Sequence, residues 1–313
     1  MSGLLVERST PLILLQDRGR FGVRHLGVTQ GGALDWVSMS WANWLVGNDL
    51  DAAVVEITLG GLTLLVEQDG CLALAGADLD ARLDGQPVQP WRSFSVQQGQ
   101  RLVFGQPQHG ARAYLAVPGG FNAPLILGSR STTCREELGG LLGAGQALAA
   151  GDRLAWQGGT PLLRQLHAEQ IPDLSAQQPL QLLLGAQIGD FSGQSLFDLF
   201  NTPWQIDPRA DRMGVRLNGP VLQYQGQPMI SEGIPLGAIQ VPPDGQPIVL
   251  LNDRQTIGGY PRVGALMPES VARLAQLLPG AVVRLKPVVQ GRVEQAHVQL
   301  LQQWDELEAT VVF

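Results

Sequence analysis

A chain of 313 residues, 44% hydrophobic and 16% charged, has room for one large or two ordinary domains with a sizeable core, which excludes a disordered chain. Its 28 acidic residues outnumber 21 basic ones, and a net charge of -7 excludes the basic footprint of a nucleic-acid binder. The 39 glycines and 21 prolines favour many turns and short strands over long helices. No apolar run approaches the ~20 residues that span a bilayer, and the first residues lack the basic-then-apolar order of a secretory signal. Cys71 and Cys134 have no CxxC partner, so the expectation is a cytoplasmic protein without a zinc site or a membrane contact. Lys286 is the only lysine. Arginine otherwise carries the positive charge, which suits planar carboxylate or phosphate recognition; a base-composition bias gives the same pattern.

In chain order, residues 10–28 read as a strand, a turn at "QDRGRFG" and a second short strand. "GGALDWVSMSWANWLVGN" then changes period: Leu34, Val37, Trp41, Trp44 and Leu45 fall on one helical face, and Gly47-Asn48 supplies a stop. The tryptophans are read as core packing. From residue 54 to 120 the strands "LTLLVEQ", "CLALAG", "RSFSV" and "RLVFG" alternate with turn signals, as in a barrel or sandwich. Asp84-Gly85 is the expected hairpin turn. Residues 157–180, rich in Gln and Pro, read as the link between two halves.

The second half opens on the strand "LQLLLG" and a helix near "GQSLFDLF". It continues through strands at "PIVLL" and "RVGAL", a helix "ESVARLAQLL", a closing strand "VVRLKPV" and an exposed helical tail. The halves echo each other: "DRGRFGVR" answers "DRMGVR", "SRST" answers "DRQT", and "AGDRLAW" answers "PGAVVRL". An ancient duplication with an insertion in the first half accounts for this.

The echoed corners gather the candidate site residues. Asp17, Arg18 and Arg24 precede the glycines that open the tryptophan helix. Ser129, Arg130, Ser131 and Thr132 form a donor-rich stretch with no acid until Glu136, suited to an anion. In the second half stand Asp211-Arg212, Ser231-Glu232 and Gln240, then Asp253, Arg254, Gln255 and Thr256, followed by Gly258-Gly259-Tyr260. The competing reading is structural: Asp-Arg pairs brace turns, the carboxylate capping amides and the guanidinium bonding carbonyls. No GxxxxGK[ST], no GxSxG, no His spacing for a metal and no Met-Lys-Met occurs. A complete enzyme therefore needs less recognisable residues, whereas one member of an assembly that shares its site does not.

"DRGRFGVRHLGVTQGGALDWVSMSWANWLVGN", "VVEITLGG", "AVPGGFNAPLILGSRST", "DRMGVRLNGP" and "SEGIPLGAIQVPPDGQPIVLLNDRQTIGGYP" together resemble the allophanate hydrolase subunit 2 family, also called biotin-dependent carboxyltransferase-like. The resemblance covers roughly residues 5–287 and reaches the C-type subunit of bacterial 5-oxoprolinase. It implies a mainly β chain with a few helices, built as two cyclophilin-like β-barrel domains at 1–170 and 171–290 with a helical tail at 291–313. One departure stands out: family members usually carry Gly-Arg before "LAAGD", where this chain has Gly145-Gln146.

The resemblance further implies a hydrolase subunit of a multi-subunit 5-oxoprolinase, which opens the lactam of 5-oxoproline to glutamate with ATP hydrolysis. Such a subunit is expected to be inactive without its partners, a subunit-1/subunit-B-type protein and a third subunit. ATP with Mg acts at the level of the complex, and nothing is bound covalently. Glu232, Asp253, Arg254 and Thr256 are the candidate catalytic residues. Arg18, Ser129, Arg130, Ser131, Thr132, Arg212, Ser231, Gln240, Gln255 and Tyr260 are candidates for holding substrate or an anion. Two alternatives remain open: a biotin-dependent carboxyltransferase component like that of urea carboxylase, or a non-catalytic regulatory partner of a kinase-inhibitor-like protein.

Overall fold

The computed structural model describes residues 3–156 and 162–310. Part of the expected link, residues 157–161, lies outside the described residues. The chain is mainly β with four helices among the described residues, and its sheets are barrel-like.

The chain divides into two compact units, but not by a single cut. The first holds residues 1–175 and takes in Asn252–Thr256 and Ala272–Leu278; the second holds 176–251, 257–271 and 279–313. A linear division at 170/171 misses these two insertions into the first unit.

In the first unit the strands are β1 (Gly3–Arg8), β2 (Ile13–Gln16), β3 (Val54–Thr58), β4 (Thr63–Val66), β5 (Gly70–Asp78), β6 (Arg82–Leu83) and β7 (Gln86–Pro87), then β8 (Arg92–Val96), β9 (Arg101–Val103), β10 (His109–Ala116) and β11 (Arg153–Ala155). They form two antiparallel sheets, β11-β1-β4-β9-β6-β7 and β2-β3-β10-β5-β8. Between these sheets lies one apolar core that includes Leu4, Ile13, Leu64, Leu74, Leu115 and Trp156. Asp84 and Gly85 take φ of 49 and 81°, the paired positive values that a tight β6–β7 turn requires.

Helix α1 (Trp36–Leu45) is buried on nearly every side, so its role is a core element rather than a surface amphipath. Asp35 caps it, accepting from Ser38 N at 3.0 Å and from Ser38 Oγ at 2.5 Å. Trp41 and Trp44 meet edge to face at 5.6 Å inside that packing, as expected. The expected second strand after residue 20 does not form. There the backbone bonds to itself, Leu26 N to Val23 O and Gly27 N to Arg24 O, giving a short 3-10 turn over Arg24–Leu26. Residues 162–166 are likewise no free linker: Leu166 N bonds Trp91 O, and the Arg164 guanidinium lies 4.5 Å from the Trp44 ring.

Beneath α1 lies a polar knot. Tyr114 Oη donates to Glu56 Oε2 at 2.9 Å and accepts from Asp35 N at 2.8 Å, and Leu34 N donates to the same Glu56 oxygen. Gln276, 1% exposed, completes it. Its amide nitrogen donates to Asp35 Oδ2 at 2.7 Å and to Arg112 O at 2.9 Å, and its oxygen accepts from Ala111 N and Arg112 N. Gly110 leaves the room: a Cβ there would stand 2.9 Å from that oxygen.

Burial raises the Asp35 carboxyl, its hydrogen bonds to Ser38 and Gln276 only partly offsetting this, and Glu56 adds to the rise. A raised carboxyl binds a proton longer in the folded state than in the unfolded one. The stability it contributes is therefore full below the unfolded value near 3.8 and is lost as pH rises through the folded value. Urea unfolding followed from pH 4 upward should show that decline, and Asp35→Asn should flatten it. A slope unchanged by the substitution would mean that another group carries it.

The second unit contains β12 (Leu180–Leu184), α2 (Gly193–Asn201), β13 (Trp204–Ile206), β14 (Gly214–Asn218), β15 (Glu232–Gly233), β16 (Ala238–Gln240), β17 (Ile248–Leu250), β18 (Ile257–Gly258) and β19 (Arg262–Leu266). Helix α3 (Pro268–Leu274) begins in it, and β20 (Val282–Val283), β21 (Leu285–Val288) and α4 (Gln290–Thr310) close the chain. Its sheet runs β20-β13-β14-β17-β16-β19-β12-β21, and a small ribbon pairs β15 with β18. Trp204 is fully buried, its Nε1 donating to Leu199 O at 3.1 Å and so tying α2 to β13.

Candidate functional site

The first unit gathers one of the two expected constellations around the loop 17–33. This loop turns because two glycine stretches cross at contact distance: a Cβ on Gly19 would lie 2.8 Å from Gly31 O, and one on Gly32 would lie 2.7 Å from Arg18 O. Positive φ values of 95° at both residues fit only glycine comfortably.

Asp17 organises the corner. Its carboxylate accepts from Ser129 Oγ at 2.6 Å, Ser131 Oγ at 2.5 Å, Arg130 N at 2.6 Å and Gly19 N at 2.8 Å. Ser131 Oγ in turn accepts from Asp17 N, and Thr132 Oγ1 donates to Leu15 O. The reading of residues 129–132 as lacking a nearby acid is thus corrected: Asp17, more than a hundred residues upstream, supplies it. The hydroxyls of Ser129, Ser131 and Thr132 are buried and engaged. Arg130 is half-buried, with Nε donating to Ala123 O at 3.1 Å.

The guanidinium that bonds carbonyls is Arg20, not Arg18. Arg18 is exposed and lies 5.3 Å over the Phe21 ring. Arg20 is fully buried and donates to Ile126 O, Ser131 O and Thr133 Oγ1 at 3.2, 2.7 and 3.0 Å. Burial lowers its pKa, while the charges of Asp17, Glu136 and Asp253 pull it back up. Sequence reasoning missed Arg20, although "DRGR" placed it two residues after a turn-forming pair.

The segment Asn252–Thr256 belongs to this same corner. Asn252 Nδ2 donates to Gly31 O and Ala33 O at 3.1 and 3.0 Å, and its own carbonyl accepts from Gly31 N. Asp253 is buried and Arg254 is 3% exposed, whereas Gln255 and Thr256 are half-buried. Arg254 Nη2 stands 3.5 Å from Gln30 Oε1, and Arg24 Nη2 donates to Thr256 O at 2.9 Å. Burial, then the nearby Arg24 charge, push the Arg254 guanidinium down to about 9, with Asp253 opposing. It still carries its charge at neutral pH. Two guanidiniums brought together in a partly dry corner can polarise or hold an oxyanion.

The remaining candidates lie in the second unit. Asp211 braces its turn by capping Met213 N and Gly214 N at 2.8 and 3.0 Å, beside a half-buried Arg212. Ser231 and Glu232 are exposed at the β15–β18 ribbon, where Glu232 pairs with Gly258. The Glu232 carboxylate forms an ion pair with Arg262, whose Nη1 also donates to Gly233 O at 2.8 Å. Arg262, also missed from the sequence, holds Glu232 in place. Gln240 is buried in β16, and its Nε2 finds no hydrogen-bond partner among the described residues. Tyr260 lines a cleft of about 350 Å³ with Val221, Tyr224, Val241, Pro242 and Pro261. Among the described residues no group of three or more His, Cys, Asp or Glu is placed to hold a metal ion.

Residues 26–287 match the family described as carboxyltransferase domain, subdomain A and B. The chain belongs to that family. Over 274 residues it is 40% identical to the C-type subunit of 5-oxoprolinase from Escherichia coli (strain K12), an alignment that covers 87% of each chain. Among solved structures it resembles TTHA0988, with 36% identity and a TM-score of 0.82. It also resembles the Kluyveromyces lactis urea amidolyase, with 26% identity and a TM-score of 0.90. The alignments take in 91 and 97% of this chain, but the chain spans only 56 and 20% of those two solved chains.

Proposed function

We propose that this chain is a subunit of a cytoplasmic, multi-subunit, ATP-dependent 5-oxoprolinase, which opens the lactam of 5-oxoproline to glutamate. The observation that carries the reading is the 40% identity to a 5-oxoprolinase subunit across 87% of both chains, above the 26% shared with the urea amidolyase. Its partners are a subunit-B-type protein and a third subunit. Two free cysteines fit a reducing compartment. Among the described residues no helix is long and apolar enough to cross a membrane.

A lactam carbonyl is stabilised by resonance, so hydrolysis needs its oxygen activated and the developing negative charge neutralised. ATP with Mg enters at the level of the complex and supplies that activation; no residue of this chain is assigned to Mg. Arg254, with Thr256, Gln255 and Gln30 beside it, supplies positive charge and donors for an oxyanion or a substrate carboxylate. Within this corner Asp253 positions Arg254; Glu232, held by Arg262, is a separate candidate in the second unit, proposed to orient a water there. Carboxyl transfer is the second reading, favoured by the fold match to urea amidolyase over 97% of the chain. The same corner would then hold the transferred carboxylate.

The test is glutamate release from 5-oxoproline and ATP with this chain, its B-type partner and the third subunit, separately and mixed. Activity is expected only in the mixture. Arg254→Ala and Glu232→Gln should each lower kcat by about 100-fold while the assembly persists on gel filtration. An intact but inert mixture would sink the oxoprolinase reading; full activity in a variant would remove that residue from the site.

A further inference from the structure

We propose that Arg24, with Arg254 behind it, forms a binding site for a single carboxylate in the first unit. Arg24 sits on the short turn that opens "RHLGVTQGG", half-buried, with its head group against the 252–256 segment. Its one hydrogen bond runs from Nη2 to Thr256 O, so Nε and Nη1 donate to nothing among the described residues. Nor does any carboxylate there pair with it. Burial alone lowers its pKa, with no acid to restore it.

That is an unusual place for a guanidinium. A partly desolvated cation normally finds an anion, because its lost hydration is otherwise uncompensated. Arg24 instead stands near a second cation, Arg254, whose charge it makes harder to hold. The fold maintains the pair by hydrogen bonds to backbone carbonyls on both sides: Gly31 N to Asn252 O, Asn252 Nδ2 to Gly31 O and Ala33 O, and Arg24 Nη2 to Thr256 O. These bonds fix the two arginines before any ligand arrives, and preorganisation of this kind serves binding rather than folding.

The charge and shape select the ligand class. Asp253 already opposes Arg254, which leaves the Arg24 charge for the ligand. One charge and one planar fork match a monovalent, planar carboxylate bound through two oxygens. The carboxamide of Gln30, beside Arg254, can rotate to donate to the same oxygens. Arg24 being the less buried of the two, the ligand enters on its side. The inference rests on the functional reading above only in naming 5-oxoproline, whose carboxylate is spectator to lactam opening, as the ligand.

The experiment compares binding of 5-oxoproline and of its carboxamide to the full chain by calorimetry, with acetate and inorganic phosphate as competitors. The acid should bind about tenfold or more tighter than the amide. Arg24→Met should bring that ratio close to one, and Arg24→Lys should recover part of it, with melting curves unchanged. Competition by acetate should exceed that by phosphate at equal concentration. An acid-to-amide ratio near one in the parent chain, or one unchanged in Arg24→Met, overturns the site; stronger competition by phosphate overturns the carboxylate class. An Arg24-dependent carboxylate preference in a chain whose full mixture releases no glutamate would support this site and overturn only the oxoprolinase reading.

Discussion

Replacing Asp17 with Ala should cost about 3–5 kcal/mol and lower the melting temperature by roughly 10 °C. One carboxylate accepts two serine hydroxyls and two backbone amides, all in a corner closed to water. Removing it strands four donors at once, and each stranded buried donor costs about 1–3 kcal/mol before relaxation. Ser131→Ala should cost less, about 1–3 kcal/mol, because Asp17 keeps its other three donors and only the Asp17 N–H loses its acceptor. Chemical unfolding of both variants decides the matter. A loss below about 1 kcal/mol for Asp17→Ala would mean that the hydroxyls of Ser129 and Ser131 are satisfied elsewhere. They would then return to contention as donors to a ligand, which is the role their sequence suggests.

Gln276→Leu should be nearly as damaging, at about 2–4 kcal/mol. The leucine fills the volume but leaves Ala111 N, Arg112 N, Arg112 O and an Asp35 oxygen without their partner. Gln276→Glu adds a sharper signature. It keeps the acceptor and replaces the donor with a carboxylate beside Asp35 and Glu56, so its defect should shrink as pH falls and one acid takes up a proton. Urea midpoints at neutral and mildly acidic pH give the comparison. A Leu variant as stable as the parent would show that the four bonds contribute nothing net.

These two residues also mark where reading a sequence runs out. Periodicity and turn chemistry are local, and so the tryptophan helix, the strands from residue 63 to 116, the Asp84-Gly85 hairpin and the C-terminal helix are all legible. Asp17 and Ser131 are partners across 114 positions, and Gln276 and Asp35 across 241, separations at which no window of sequence carries a signal. The same limit explains the inversion of roles at "DRGR". Local chemistry points to Arg18 as the bracing arginine, but the turn directs Arg18 outward and Arg20 inward. The "DRQT" cluster stands out in the sequence as dense in function-bearing side chains. Its companions Arg24 and Gln30 do not, because only the fold brings residues 24–30 beside 252–256. Arg262 escapes for a similar reason: it lies 30 residues beyond Glu232 in the chain.

The inclusion of two late segments in the first unit has a consequence for how the protein is made. Residues 252–256 and 272–278 are parts of the first unit, yet they leave the ribosome last among its pieces. At about 5–20 residues per second, the roughly 100 residues between Ser175 and Leu278 take some 5–20 s to emerge. During that interval Ala111, Arg112 and Asp35 wait for Gln276, and Gly31 and Ala33 wait for Asn252. The nascent amino-terminal half is therefore a barrel with an open seam, committed to its strands but not to its final polar contacts. Synthesis order makes the arginine corner one of the last features of the first unit to close, and a chain truncated at the sequence midpoint would never form it.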